Sequence, residues 1–343
     1  MKAYALDRYG EPLTLHDLPE PVASPGEVVV EINASSVNPL DEKLRTGAFK
    51  AILRYDMPLV LGHDLAGTVI AVGEGVRRWR VGDRVFACVG GDRVGTFAER
   101  IAVAEADLAP IPANLDPPAA AALPLVSLTA WQVLVERAKV RPGQRVLVHA
   151  GSGGVGTVAI QLAKHLGAHV ATTVGTANLA LVRDLGADEV VDYRQEAFEQ
   201  RLSDYDVVLD TLGGDVTVKS LNVLKPGGML ISIAGPPDPA FGERINANWL
   251  VKQFIRFGSY SIRKKARVRS IDYSFLFMRP DGDQLAEIGR LIEAGALRPV
   301  IDSEFLFEET VAALKRSATG RARGKVVIRQ TVRARDGAAG TAK

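Results

Sequence analysis

The chain contains a single cysteine, Cys88. That excludes both an intrachain disulfide and a four-cysteine structural zinc lobe, since each needs more thiolates than are present. No apolar run approaches the length of a membrane span. Residues 1–8 alternate like a strand and lack the apolar stretch of a signal peptide. The expectation is a cytoplasmic chain with no membrane span. Net charge is also scarce: 42 Lys and Arg against 40 Asp and Glu leave +2. No global field therefore argues for nucleic acid or an acidic partner. At 343 residues and 47% hydrophobic content, the chain exceeds one ordinary core and points to two domains.

Against these absences stands a glycine loop. The run Arg145-Val-Leu-Val-His-Ala-Gly-Ser-Gly-Gly-Val-Gly156 passes into the helical pattern Thr157-Val-Ala-Ile-Gln-Leu-Ala-Lys-His-Leu166. It reads as strand, tight turn and helix, the context in which Gly151, Gly153 and Gly156 form a dinucleotide-binding fingerprint. The first glycine allows the turn, the second lets a pyrophosphate approach the backbone, and the third lets helix and strand pack closely. The phosphates would meet the N–H groups of Ser152, Gly154 and Val155 at the helix N-terminus.

Downstream, apolar runs at residues 169–174, 189–192, 206–210 and 229–233 alternate with helical patterns. Such β/α alternation makes a parallel sheet covered on both faces. This predicts an α/β, doubly wound nucleotide-binding domain over residues 122–262. Residues 1–121 instead show short runs such as Glu27-Val-Val-Val-Glu-Ile32, broken by Gly, Pro and Asp turns. That is the pattern of an antiparallel β-barrel. Helical patterns near 283–294 and 308–317 and a strand at 325–328 are expected to complete this first domain, as residues 263–330. The stretch 331–343 has no apolar periodicity and reads as a disordered tail.

The chain resembles the medium-chain dehydrogenase/reductase superfamily, and within it the zinc-free quinone oxidoreductase (zeta-crystallin-like) branch. The resemblance spans about residues 1–330. It is carried by Ser36-Val-Asn-Pro-Leu-Asp41, Leu61-Gly-His-Asp-Leu-Ala-Gly67, Val81-Gly-Asp-Arg-Val85, Leu128-Thr-Ala-Trp131, the glycine loop, Leu185-Gly-Ala-Asp188 and Asp192-Tyr-Arg194. It implies a GroES-like β-barrel catalytic domain with an inserted Rossmann domain, the active site in the cleft between them, and NAD(P)H-dependent hydride transfer to quinones or α,β-unsaturated carbonyls.

A catalytic zinc needs three protein ligands. The zinc-dependent relatives take their first from a Cys near the position of Asn38 to Asp41, and none is present. His63 and Asp64 match the second part of that pattern and read as a remnant or a structural pair, so no metal is expected. Cys88 reads as a small buried hydrophobe.

NAD-specific sites place an acid at the end of the second strand. Here that strand ends in Thr172, Thr173 and Val174 and continues through Thr176. This favours NADP, with the threonine hydroxyls, Tyr193 and Arg194 expected near the 2′-phosphate. The lysine often found in this pocket among relatives corresponds roughly to Leu179.

The resemblance makes Asn38 the active-site asparagine, a donor to the carbonyl oxygen or the cofactor, with Asp41 orienting it or a water. A plain Asx turn over the same residues is the competing reading. Tyr55 is a second proton-donor candidate. Further cofactor contacts implied by the resemblance are Thr129, Leu212, Gly213, Ala234, Gly235, Phe277 and Lys325.

Two readings compete with quinone or enone reduction: an enoyl-thioester reductase of the same superfamily, and a crystallin-like nucleotide-binding protein with little catalysis. The cluster Arg256, Arg263, Lys264, Lys265, Arg267 and Arg269 is the one local charge imbalance. It reads as a solvated surface or as an anion site, without the aromatic-rich motif of a specific nucleic-acid binder. The run Phe254-Ile-Arg-Phe-Gly-Ser-Tyr-Ser261 is expected to be an edge strand through which two chains pair as a homodimer.

Overall fold

The computed structural model describes residues 1–50, 55–90 and 93–330; the expected tail at 331–343 lies outside them. Six parallel strands follow the order expected of a dinucleotide-binding sheet. Counted along the chain from Arg145–Val148, they lie 3-2-1-4-5-6: Glu189–Asp192, His169–Val174, Arg145–Val148, Tyr205–Asp210, Leu224–Ser232 and Asp272–Phe275. The central strands carry runs of consecutive apolar residues because helices cover both faces of the sheet. Val146, Leu147 and Val148 are all buried.

A second sheet of antiparallel character is built around the long strand Glu27–Val37. That strand pairs with Asp64–Val72, Arg100–Ala104 and Lys325–Arg329. Helix Gly282–Glu293 follows the parallel sheet, the strand Ile301–Leu306 then joins the barrel sheet beside Lys325–Arg329, and helix Thr310–Ala318 connects those two strands. The chain thus leaves the barrel, builds the parallel sheet and returns, so that Lys325–Arg329 pairs with a strand laid down near the N-terminus.

Two expectations change. Residues 254–261 are no edge strand: they lie in helices Trp249–Gly258 and Tyr260–Val268, which share Ser259 as a corner. Asn248 accepts from the Val251 N–H at 3.0 Å and starts the first helix. Ile255 is the buried residue of that helix, and Ile262 and Ala266, one turn apart, are those of the second. The outermost strand of the parallel sheet is instead Asp272–Phe275, beyond the boundary placed at residue 262.

Candidate active site

Register in the barrel sheet brings distant residues together. Ser36 pairs with Asp64 on one side and Val327 on the other. Lys325 therefore enters beside both. Pro39 begins the helix Pro39–Arg45 immediately after Asn38, and the carboxylate of Asp41 accepts the Asn38 N–H at 2.7 Å. The result is a buried polar network in which Asp64 receives four donors: Ser36 Oγ at 2.8 Å, Asn38 Nδ2 at 2.8 Å, the Leu125 N–H at 2.7 Å and Lys325 Nζ at 3.0 Å. Lys325 Nζ also donates to Asn38 Oδ1. His63 Nδ1 and Asp41 Oδ1 share a hydrogen bond of 2.7 Å. Asn38, Asp41, His63, Asp64 and Lys325 are all buried. Such groups persist in a core only when paired and fully hydrogen-bonded.

The glycine loop touches this network. The Gly324 N–H donates to the Ser152 carbonyl at 2.8 Å, and Gly153 bridges to Gly324. A Cβ added at Gly154 would lie 3.1 Å from the Lys325 side chain. Each fingerprint glycine has its own geometric reason. A Cβ on Gly151 would come within 2.1 Å of Thr172 Oγ1, and one on Gly156 within 2.3 Å of the Ala150 carbonyl. Gly153 would meet only Ala150 O, at 3.3 Å. That is the open approach a phosphate needs. No side chain caps the helix Gly154–His165, so its first-turn N–H groups face the loop without a protein cap.

At the other end of the loop, the threonines expected to face a 2′-phosphate are used internally. Thr172 donates to the Val148 carbonyl at 2.7 Å. Thr173 Oγ1 lies 3.0 Å from His149 Nδ1 and accepts the Ala150 N–H at 3.3 Å. Thr176 donates to Asp192 at 2.5 Å. Val174 is buried. Tyr193 and Arg194 are exposed and converge on Gly175, where a Cβ would lie 3.3 Å from the Tyr193 hydroxyl and 3.4 Å from Arg194 Nε. Asp192, opposite Val174 in register, is an acid that reasoning along one strand missed. Hydrogen bonds from Thr176 and the Arg194 N–H hold its carboxyl below the usual range.

His149 precedes the loop and is fully buried, with Nε2 2.9 Å from Ser220 Oγ and its ring edge-on to Phe198. Burial lowers its pKa to about 4. Asp210, also buried, fixes the next turn by accepting the Leu212 and Gly213 N–H groups at 2.9 Å. A Cβ on Gly213 would sit 2.7 Å from the Ala234 carbonyl, and Ser232 Oγ accepts the Gly235 N–H at 2.7 Å. These turns therefore adjoin. Thr129 donates to the Leu125 carbonyl at 2.7 Å on the helix whose start is tied to Asp64. Phe277 meets Phe49 at 6.4 Å and Phe241 at 5.8 Å between ring centroids, so the loops of the two domains share an aromatic wall. Tyr55 is half-buried in the cluster around Leu61 and Phe97. Cys88, opposite Asp64 in the sheet, is buried, and its thiol is pushed well above the ordinary range by burial and by the Asp64 charge.

Two family models match: the alcohol dehydrogenase GroES-like domain over residues 24–113 and the zinc-binding dehydrogenase over 185–328. The mitochondrial NAD(P)H oxidoreductase RTN4IP1 of Mus musculus is 33% identical over 353 residues, 96% of this chain and 89% of that one. The chain belongs to the medium-chain dehydrogenase/reductase superfamily. Another member, the chloroplastic NADPH-dependent alkenal/one oxidoreductase of Arabidopsis thaliana, is 35% identical over 96% of this chain and 79% of its own length. Among solved members, the quinone oxidoreductase from Coxiella burnetii superposes with a TM-score of 0.85 at 32% identity, covering 97% of this chain and 99% of that one. The superfamily's two-part architecture is the one described above, with the buried network on the barrel side and the glycine loop on the other.

Proposed function

We propose that this chain is a zinc-independent, NADPH-dependent reductase that delivers a hydride to a quinone or an α,β-unsaturated carbonyl. The observation that carries the reading is the contact of Gly324 and Lys325 with Ser152 and Gly154. It sets hydrogen-bond donors of the barrel beside a cradle shaped for a dinucleotide. The relatives named for NADPH, alkenals and quinones support the same chemistry.

The residues fit the cofactor. Gly151, Ser152, Gly153, Gly154, Val155 and Gly156 would hold its pyrophosphate, while Leu212, Gly213, Ala234 and Gly235 line the adjoining turns. Tyr193 and Arg194 would bind the 2′-phosphate, which an exposed guanidinium suits and a free carboxylate would repel. When bound, the reduced nicotinamide supplies the hydride. Reduction of a conjugated acceptor leaves a delocalised oxyanion, so aimed hydrogen-bond donors can stabilise it without a Lewis acid. Lys325 and Asn38 are such donors. The ammonium has three N–H groups, and its bonds to Asn38 and Asp64 account for two. Asp64 fixes both side chains in a dry setting, where fixed dipoles act most strongly.

The donor set does not suit zinc. His63 is turned onto Asp41, and the Asp64 carboxylate is occupied by four donors, one of them a cation. The thiol of Cys88 is held protonated.

The reading includes a homodimer joined along the Asp272–Phe275 edge, because an unpaired edge strand invites pairing. It also retains a cytoplasmic setting, although the mouse relative is named mitochondrial; no helix among the described residues is long and apolar enough to cross a membrane. Stopped-flow oxidation of NADPH against quinones, enals and enoyl thioesters tests the reading. Fast turnover with quinones or enals supports it, preference for enoyl thioesters moves the assignment to thioester reduction, and cofactor binding without turnover on any of them refutes it.

A further inference from the structure

Helices Trp249–Gly258 and Tyr260–Val268 carry an unusual surface. Trp249, Phe254 and Phe257 are 69%, 79% and 75% exposed, and Leu250, Tyr260 and Val268 are exposed beside them. Trp249, Leu250, Phe254 and Phe257 fall on one side of a helical wheel. The opposite side holds Ile255, buried against Phe241 and Phe275. Residues 245–271 contain seven Lys and Arg and no Asp or Glu. Of the seven, only Lys252 forms an ion pair among the described residues, with Glu243.

The corner at Ser259 brings cations of both helices around one hollow of about 380 Å³, lined by Arg256, Arg263, Lys264 and Arg267 with Phe257 and Tyr260. Arg263 is fixed there, donating to the Arg256 carbonyl at 2.9 Å and to Ser259 Oγ at 3.1 Å. The corner is therefore preorganised, and large apolar groups remain in water next to a cationic hollow.

We propose that this corner docks the enzyme on an anionic lipid surface, with a lipid headgroup in the hollow and Trp249, Phe254 and Phe257 in the interfacial layer. Basic residues flanking exposed aromatics on short amphipathic helices are the composition that binds in the plane of an anionic membrane. Charge decides against a second copy of the chain. A symmetric pairing through this face would set its unpaired cations against their own counterparts, with no acidic residue in the segment to offset them. Aliphatic and aromatic exposure together fits acyl chains better than a phosphate backbone alone.

The test is sedimentation of the full-length chain with phosphatidylcholine vesicles and with vesicles rich in phosphatidylglycerol, at low salt and at about 0.1 M salt. Binding is expected only to the anionic vesicles and should fall as salt rises. Arg263→Ala and Arg267→Ala should each weaken it about five-fold, the Boltzmann factor for one basic side chain near such a surface. Phe254→Ser with Phe257→Ser should weaken the binding that persists at the higher salt. Tryptophan emission should shift to the blue on anionic vesicles, and Trp249→Phe should abolish that shift. Unchanged thermal unfolding of these surface variants shows that the fold is intact. Absence of sedimentation, equal binding to neutral vesicles, release from vesicles by RNA, or a doubling of mass without lipid that Phe254→Ser abolishes would each overturn the proposal.

Discussion

The backbone N–H of Gly324 donates to the carbonyl oxygen of Ser152 at 2.8 Å. This bond joins the last barrel strand to the glycine loop, and it sets Lys325 beside Gly154. Lys325 is also the cation on the buried carboxylate of Asp64. Removing it leaves that charge uncompensated in the core. Lys325→Met is therefore expected to cost about 3–5 kcal/mol of stability, whereas Lys325→Met combined with Asp64→Asn, which removes the stranded charge and keeps an acceptor for the neighbouring donors, should recover part of the loss. Denaturant unfolding of the two variants checks this, and the double variant should remain inactive.

The fingerprint glycines divide into two classes. Gly156→Ala drives a methyl onto the backbone of Ala150, 2.3 Å away, and should destabilise the fold by about 1–3 kcal/mol. Gly153→Ala meets only one atom at 3.3 Å. It should fold with stability changed by less than about 1 kcal/mol while NADPH binding falls sharply. Paired unfolding and titration calorimetry would separate the two effects, and equal behaviour of the variants would argue against the assigned roles.

On the proposed function, discrimination of the 2′-phosphate would rest on Tyr193 and Arg194. Arg194→Glu should weaken NADPH by about 1 kcal/mol, a figure limited by exposure, and leave NADH nearly unchanged. Thr173 is a poor place to test this, because its hydroxyl is committed to His149 and Ala150. Calorimetric titration of both cofactors decides the point. Equal weakening of the two would remove the phosphate from this corner.

The pH dependence of stability has a source in His149. Its pKa falls from 6.5 in a free chain to about 4 when burial disfavours the charged ring. Between those values the unfolded chain binds more protons, so unfolding becomes easier as pH drops. The contribution is complete above about pH 6.5 and is lost progressively toward pH 4, reaching about 3 kcal/mol at 1.36 kcal/mol per pH unit. His149→Gln should flatten that part of the profile, measured by denaturant midpoints across the window.

Much of the fold was legible because its signals are local. The strand, glycine turn and helix at residues 145–166 lie next to one another, and their apolar pattern marks a sheet buried on both faces. The network around Asp64 was only partly legible. Asn38, His63 and Lys325 could be singled out, but their convergence depends on strand register, which no local spacing encodes. The threonines at the end of the second strand were legible as residues but not in their partners, because an apolar-flanked hydroxyl in a central strand tends to bond within the sheet. Asp192 arrived from the neighbouring strand. Residues 254–261 read as a strand because of their aromatics, yet the Asn248 cap before them and the four-residue spacing of Ile262 and Ala266 after them carried the helical signal.

The central claim is hydride transfer from NADPH to a conjugated carbonyl in a site held by Lys325, Asn38 and Asp64 rather than by zinc. Its most direct test is turnover of NADPH with a quinone and an enone by protein dialysed against a strong chelator, with metal content measured on the same sample. The account predicts an unchanged rate with far less than one zinc per chain. Loss of turnover on chelation, restored by adding zinc, would contradict it.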